Sequence, residues 1–289
     1  MYPLMLSAIS WLSGVLLNSS VVTMYFRNWR MKVRFSVCDR MFLFMALNNI
    51  TLQSYLFYDT CVFIFLRCHQ LNSYIYQLIF GYASIYGNFW HTAWLSLYYC
   101  LKVVNSQHHL ITQVRRKLSS SIIQVLVATL VGLVFINLPF IWTMKFKKSQ
   151  NGTKAQCFFE MNIQYIYFNV GLGCYLPFIM NVACIGFSVG SLLRHMWRMR
   201  RNAFQSTPSP QLQGYVRASR TMILQLLLNS FIFPAVAGMF LSEFDFFHMS
   251  NIIVWMVLML YPTAQAFTLI LGNSKLYKGF FRPCTSSKE

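Results

Sequence analysis

The chain has 289 residues, of which 56% are hydrophobic and only 10% are charged, and its formal net charge is +18. A charge this high is often a sign of nucleic-acid binding, in which basic residues form one patch. Here the basic residues alternate with long apolar stretches instead, which argues against nucleic acid and for a membrane protein.

Seven apolar stretches follow one another along the chain, each long enough to cross a bilayer as a helix. A hydrocarbon core about 30 Å thick needs roughly 20 apolar residues, and a helix satisfies its own backbone hydrogen bonds in lipid. The sequence therefore predicts an all-α membrane protein, a single seven-transmembrane helix bundle over residues 1–289. We expect spans at about 4–26, 41–66, 74–101, 120–144, 165–193, 221–241 and 249–272.

The basic residues lie mostly on one side of these spans. Nineteen of the 24 fall after the first, third and fifth spans and in the tail. Since cytoplasmic loops carry an excess of Lys and Arg, we expect the N-terminus outside and the C-terminus in the cytoplasm. The same side chains would meet the anionic lipids of the inner leaflet. Only residues 1–3 precede the first span, so we expect no cleavable signal peptide.

Asp59, in the second span, is the only formally charged side chain inside a span. Two interpretations stay open: it selects a cationic ligand, or it is an interfacial carboxylate near Arg67. The third span has no acidic residue, which disfavours a receptor that anchors an amine there. One carboxylate does not make the relay of an ion-coupled transporter. No span holds the paired titratable groups of a catalytic site, so we expect no enzyme, metal or cofactor.

The third span carries an aromatic stripe. Gly81, Tyr82, Ile85, Tyr86 and Phe89 recur at the spacing of one helix face, and Gly81 would leave room beside it. An apolar cavity with a few hydrogen-bonding groups is the usual small-molecule site. The alternative for such aromatic residues is an interfacial belt with lipid-facing packing. Later spans would complete the ligand site with Phe168, Met239, Asn251 and Trp255.

The longest outer loop, around residues 145–164, holds a sequon at Asn151, and the other two sequons lie within spans. We therefore expect a glycan on Asn151. Cys68 and Cys157 fall on the same side, where the compartment permits a disulfide, but nothing in the sequence places the two thiols within bonding distance. Cys284 stands beside basic residues in the tail and is a candidate for palmitoylation.

Proline interrupts four of the spans. Each proline removes a backbone hydrogen bond and kinks its helix, and a kinked helix can swing one half against the other. For the proline of the fourth span we expect a static kink. The positions are Pro139, Pro177, Pro234 and Pro262.

Three segments together resemble the type 2 (bitter) taste receptors. The third span ends in FWHTAWLSLYYCLK at 89–102, the fifth contains Leu176-Pro177-Phe178 and ends in SLLRHMWRM at 191–199, and the seventh closes in LILGNSKL at 269–276. Gly14 and Asn18 match the family's Gly-xxx-Asn of the first span. That family consists of seven-helix G-protein-coupled receptors with short N-termini and a glycan on the second outer loop, which Asn151 would carry.

The resemblance implies a plasma-membrane receptor for small, largely apolar or aromatic bitter compounds. Its partner would be a heterotrimeric G protein of the gustducin/inhibitory class, whose C-terminal helix would enter a cytoplasmic groove. A type 1 vomeronasal (pheromone) receptor has the same architecture, and a membrane transporter is an alternative of another class. We expect the groove to be framed by Lys102, Arg115, Arg116, Arg194, His195, Arg198 and Arg201.

Some positions depart from the family pattern. Asn49 stands where the second span usually has Arg, so the contacts of that Arg must differ here. Ile85 replaces an Asn that touches agonists in many members. Neither Asp-Arg-Tyr after the third span nor Asn-Pro-x-x-Tyr in the seventh is present, which argues against odorant-type receptors.

Overall fold

A computed structural model describes residues 2–66, 71–103, 109–143, 145–148, 157–160, 162–202, 210–241 and 249–281. These residues form a bundle of seven long helical rods, which confirms the prediction of an all-α membrane protein. The fifth rod is α6 and α7 joined by a π-helical turn, Gly171–Tyr175. The helices are α1 (Tyr2–Arg30), α2 (Val37–Leu66), α3 (Leu71–Val103), α4 (His109–Asn137), α5 (Phe140–Thr143), α6 (Ile163–Val170), α7 (Leu176–Asn202), α8 (Pro210–Leu241), α9 (Met249–Gly272) and α10 (Ser274–Phe281).

A small hairpin lies in the loop between α5 and α6. Its strands β1 (Lys145–Lys148) and β2 (Cys157–Glu160) pair antiparallel, with Lys145 opposite Glu160. The sequence predicts a loop for this segment and gives no indication of the two strands. We call the end of the bundle that carries the hairpin the hairpin end. The opposite end, where α1 ends and α10 lies, is the tail end.

In the ranges that the structure describes, five of the rods are long and apolar enough to span a membrane by length and composition alone. They include residues 4–30, 112–143, 163–194, 218–236 and 253–272. The other two rods, α2 and α3, are of similar length but carry more polar side chains, many of which the bundle buries: Asn48, Asn49, Gln53, Asn88 and His91. Large apolar side chains such as Phe135, Phe187 and Phe231 lie exposed on the outside of the bundle, where lipid would cover them.

Two helices begin well before the apolar spans do. At the tail end, α4 begins at His109 instead of about 120, and α8 begins at Pro210 instead of about 221. The added turns are rich in Arg, Lys and Gln, which are good helix formers. Because these residues are polar, a prediction based on apolar stretches does not include them. Pro210 occupies the first helical position, where its missing N–H costs nothing.

The fourth rod ends earlier than predicted because of Pro139. α4 stops at Asn137, and a turn at Leu138 and Pro139 leads into the single turn of α5. The expected span at 120–144 is therefore a helix, a break and a second short helix, and Pro139 does not kink one continuous helix. Pro234 and Pro262 do lie inside α8 and α9.

α3 is the central helix of the bundle, since it contacts α2, α4, α5, α7 and α8. Around it the buried side chains form two apolar clusters. The hairpin-end cluster includes Tyr82, Tyr86, Phe140, Trp255 and Tyr261. A second cluster, near the tail end, gathers residues of α1, α2, α4 and α9.

Candidate ligand-binding site

A row of aromatic rings runs through the hairpin-end cluster. The ring centroids of Tyr82 and Tyr86, one turn apart on α3, lie 5.9 Å from each other. Tyr82 also stacks on Phe140 of α5 at 5.5 Å, and Phe140 meets Tyr165 of α6 edge-on at 5.2 Å. Offset and edge-to-face arrangements of this kind are the favoured ones for aromatic pairs. The stripe on α3 thus faces inward, with Ile85 and Phe89 in the same cluster.

Tyr86 is inserted against the π-helical turn of the fifth rod. A Cβ atom on Gly173 would stand only 2.4 Å from the Tyr86 ring, so any residue with a side chain there would collide with it. In the turn, the backbone N–H of Leu176 reaches back five residues to the carbonyl of Gly171. Pro177 follows directly and has no N–H to donate to Gly173.

The Tyr86 hydroxyl enters a polar network that links α3, α4 and α6. It donates to Asn169 Oδ1 at 2.5 Å, and Asn169 Nδ2 donates to Asn137 Oδ1 and to the Tyr165 hydroxyl, both at 3.0 Å. Tyr165 in turn donates to the carbonyl oxygen of Ile136 at 2.7 Å. Sequence reasoning missed Asn137, Phe140 and Asn169. The sequence signal for two of them was an amide side chain within an apolar span, which is the single Asn of the fourth span for Asn137 and one of two in the fifth span for Asn169.

Trp255 of α9 is hydrogen-bonded to a side chain of α2. Its Nε1–H donates to Thr60 Oγ1 at 2.8 Å, and the Thr60 hydroxyl donates to the carbonyl of Leu56 at 2.9 Å. Trp255 is buried, and it belongs to the same cluster as Tyr82 and Tyr86. Thus the structure brings together Tyr82, Ile85, Tyr86, Phe89 and Trp255 of the residues that the sequence selected.

The other selected residues have different surroundings. The space expected beside Gly81 is occupied: a Cβ there would lie 2.2 Å from the ring of Tyr55 of α2, so Gly81 serves helix packing. Phe168 is 57% exposed and faces away from the cluster. The side chains of Met239 in α8 and Asn251 in α9 lie outside the part of the chain that the structure describes.

A second polar network lies deeper in the bundle. The Tyr261 hydroxyl of α9 donates to Asn229 Oδ1 at 2.9 Å, and Asn229 Nδ2 of α8 donates to Thr92 Oγ1 of α3 at 2.8 Å. Beside this network, Asn88 and His91 of α3 are buried, and none of their four side-chain N and O atoms has a hydrogen-bond partner among the described residues. Buried amide and imidazole groups without partners are costly.

At the tail end, the basic side chains selected for G-protein contact lie on the surface. Lys102, Arg115, Arg116 and Arg194 are exposed. The side chains of His195, Arg198 and Arg201 lie outside the described residues, although their backbone continues α7. Asn151, Cys68 and Cys284 are also outside the described residues, as is the side chain of Cys157.

Asp39 links three elements at the tail end through hydrogen bonds. Ser36 and Asp39 form a reciprocal cap at the start of α2, with N···O distances of 3.0 and 3.1 Å, as in a capping box. Asp39 Oδ1 also accepts from the Tyr25 hydroxyl of α1 at 3.4 Å and from Asn273 Nδ2, before α10, at 3.3 Å. This carboxylate is thus fully used in holding α1, α2 and α10.

A family model described as "Taste receptor protein (TAS2R)" matches residues 1–287. The chain belongs to this family of taste receptors. One relative is taste receptor type 2 member 13 of Pan troglodytes, 25% identical over 92% of this chain and 90% of its own length. Member 39 of Homo sapiens is 25% identical over 94% of this chain and 83% of its own length. Member 102 of Mus musculus is 23% identical over 93% of this chain and 82% of its own length.

Membership of the TAS2R family identifies a bitter taste receptor of the G-protein-coupled class and not an enzyme. It also identifies a multi-pass protein of the plasma membrane, which agrees with the apolar outer surface of the bundle. The family therefore supports the taste-receptor interpretation of the sequence over the vomeronasal-receptor and transporter alternatives.

Proposed function

We propose that this taste receptor binds small, largely apolar or aromatic bitter compounds at the hairpin end of its bundle, which faces outside. The observation that carries the proposal is the buried aromatic row of Tyr82, Tyr86 and Phe140, with the polar network of Asn169 at its edge. Apolar walls with a few fixed hydrogen-bonding groups are typical of small-molecule sites.

A flat ligand would enter this row by exchanging one stacking partner for another. Tyr82 now stacks on Phe140, which belongs to the short helix α5 after the break at Pro139. An aromatic agonist that displaces Phe140 would keep the favourable contact with Tyr82 and gain buried area. Asn251 of α9 would add a donor and an acceptor. Of the residues selected from the sequence, we assign to the ligand Tyr82, Ile85, Tyr86, Phe89, Met239, Asn251 and Trp255, and we leave out Gly81 and Phe168 because the first packs against Tyr55 and the second is exposed outside the cluster.

The fifth rod supplies a physical route from this site to the tail end. Tyr86 presses on Gly173 in the π-helical turn, and the same rod continues through α7 to Asn202. A shift of Tyr86 on ligand binding would therefore push on the least regular point of that rod. We propose that α7 and α8 then part at the tail end and admit the C-terminal helix of the G protein.

The G protein in this proposal belongs to the gustducin/inhibitory class. Its contact surface would be framed by the exposed Lys102, Arg115, Arg116 and Arg194. The neighbouring His195, Arg198 and Arg201 of α7 would complete it. Basic side chains around a groove attract an acidic or amphipathic partner helix and speed its docking.

A calcium readout over a panel of bitter compounds tests the proposal. Cells would carry the receptor with a promiscuous G protein, and the amount of receptor at the surface would be measured in parallel. We expect responses to aromatic compounds. Exchange of the Gα C-terminal helix for that of other classes should weaken them, whereas the gustducin/inhibitory helix should retain them. A receptor that reaches the surface and responds to no compound of the panel would contradict the assignment.

A further inference from the structure

Asp39 and Asp59 lie on the same helix, α2, and differ completely in their surroundings. Asp39 accepts hydrogen bonds from Ser36, Tyr25 and Asn273. Asp59 lies near the hairpin end of α2 and is half-buried. Within the part of the chain that the structure describes, its carboxyl group forms no hydrogen bond and no ion pair. Asp39 therefore has a structural explanation, whereas no described residue explains Asp59.

An unpaired carboxylate at this depth is costly for a membrane protein. Removal of an ion from water costs several kcal/mol unless a partner compensates, and ionisable side chains inside spans usually mark a functional pathway or site. No Lys or Arg lies inside any of the seven spans. The spans thus supply no basic side chain to neutralise Asp59.

Asp59 lies on the part of α2 that packs against the elements of the proposed site. Tyr55, one turn earlier on α2, lies against Gly81 of α3, so this face of α2 is turned to α3. Asp59 is near enough to Tyr82 to interact electrostatically with its phenol. The next residue, Thr60, accepts the indole N–H of Trp255. A carboxylate close to a Tyr ring, in a helix that also holds a Trp ring through the next residue, matches an organic cation, because aromatic rings add cation–π attraction.

We propose that Asp59 is the counter-ion for cationic bitter agonists, whose protonated or quaternary nitrogen binds this carboxylate while an apolar body lies on the aromatic row. This inference deepens the proposed function and rests on the ligand site at the hairpin end. The absence of an acidic residue from the third span does not exclude amine recognition in this receptor, because the second span supplies the anion.

Pairs of ligands with the same shape and different charge distinguish the effect of the ligand's charge from that of its shape. The probes are phenyltrimethylammonium and benzyltrimethylammonium, with their uncharged carbon isosteres tert-butylbenzene and neopentylbenzene. Binding would be followed by thermal unfolding of the purified full-length receptor, which does not depend on any G protein. We expect each cation to bind the wild-type receptor at least about 10-fold more tightly than its isostere.

The deciding variant is Asp59→Asn, with Asp59→Glu as its control. In Asp59→Asn the affinity for both cations should fall roughly 10- to 100-fold while that for the isosteres stays unchanged. Asp59→Glu should retain most of the preference for the cations. Unchanged binding of the isosteres shows that the variant is folded. An equal loss for cations and isosteres, or no loss for either, would mean that Asp59 is only an interfacial carboxylate and would overturn the inference.

Three further outcomes also decide between the proposals. If Asp59→Asn does not fold, the wild type and Asp59→Glu decide the matter, and a cation preference below about 10-fold in both would refute the counter-ion role. If cations bind through Asp59 but cells give no calcium response, the proposed coupling fails and the counter-ion stands. If neutral agonists signal and cations do not bind, the counter-ion fails and the proposed function stands.

Discussion

The ring of Tyr86 lies directly on the backbone of Gly173, at a distance that leaves no room for a Cβ atom. This contact joins the central helix α3 to the π-helical turn between α6 and α7. Gly171, two residues earlier in the same turn, has nothing within 4 Å of the position of its missing Cβ. The two glycines of one turn therefore form a matched pair, one with a packing role and one without.

We predict that Gly173→Ala destabilises the receptor and Gly171→Ala does not. The added methyl group at 173 must displace the Tyr86 ring or the rod, and overpacking of this kind costs about 1–3 kcal/mol. At 171 the change from Gly to Ala should be neutral, or stabilising by up to about 1 kcal/mol. Thermal unfolding in detergent and the amount at the cell surface measure both effects. Equal behaviour of the two variants would show that the Tyr86 contact is not limiting.

Asn88 is a position where we expect a substitution to retain or raise the stability of the receptor. Within the described part of the chain, neither its amide nitrogen nor its oxygen has a hydrogen-bond partner, whereas Asn169 bonds through both. Because an unpaired buried polar group is penalised by about 1–3 kcal/mol, we expect Asn88→Leu to unfold at the same or a higher temperature than wild type. Asn169→Leu should unfold at a lower one. A marked loss of stability in Asn88→Leu would mean that this amide has partners in the membrane.

Much of the fold was predictable because lipid imposes simple rules. Apolar stretches had to be helices, and the spacing of Tyr82, Tyr86 and Phe89 had to place them on one face. Their partners were not predictable, because Phe140, Asn169 and Tyr55 reach α3 from helices far away in sequence. Gly81 shows the limit most clearly. A glycine indicates close approach, but the sequence does not say whether a ligand or, as here, the Tyr55 ring comes close.

The glycan on Asn151 tests the orientation independently of any ligand. If the hairpin end faces outside, glycosidase treatment should shift the receptor on a gel, and Asn151→Gln should abolish the shift. Thr153→Ala removes the same sequon without touching the asparagine and is the control. We expect both variants to reach the surface in smaller amounts with unchanged agonist potency. An unshifted wild type would count against the orientation or the use of this site.

The basic surface at the tail end can be tested by charge-matched double variants. We predict that Arg194→Ala with Arg198→Ala abolishes agonist-driven signalling while the surface level is retained, because these residues would contact the G protein. Arg27→Ala with Arg30→Ala removes the same charge from the exposed end of α1 and should leave signalling largely intact. Calcium responses measure the signalling of the two double variants, and surface labelling measures the amount of each at the cell surface. Normal signalling in the first variant would exclude this part of α7 from coupling.

The aromatic row is tested by substitutions that retain the fold. Trp255 is buried and bonded to Thr60, so truncation to Ala would also damage packing, and Trp255→Phe is the sharper change. Tyr82→Leu removes the stacking face, and Phe80→Leu, on the exposed side of the same helix, is its control. Loss of one stacking partner should cost about 0.5–1.5 kcal/mol, which is roughly a 2- to 13-fold rise in half-maximal agonist concentration.

The pattern across agonists decides what such shifts mean. If the ligand lies on Tyr82, Tyr82→Leu should weaken aromatic agonists more than aliphatic ones at an unchanged surface level, whereas Phe80→Leu should change neither. Trp255→Phe should shift potency less than Tyr82→Leu, because it retains an aromatic face and loses only the N–H bond to Thr60. Unchanged potency for every agonist in both variants would place the ligand elsewhere, nearer the β1–β2 hairpin.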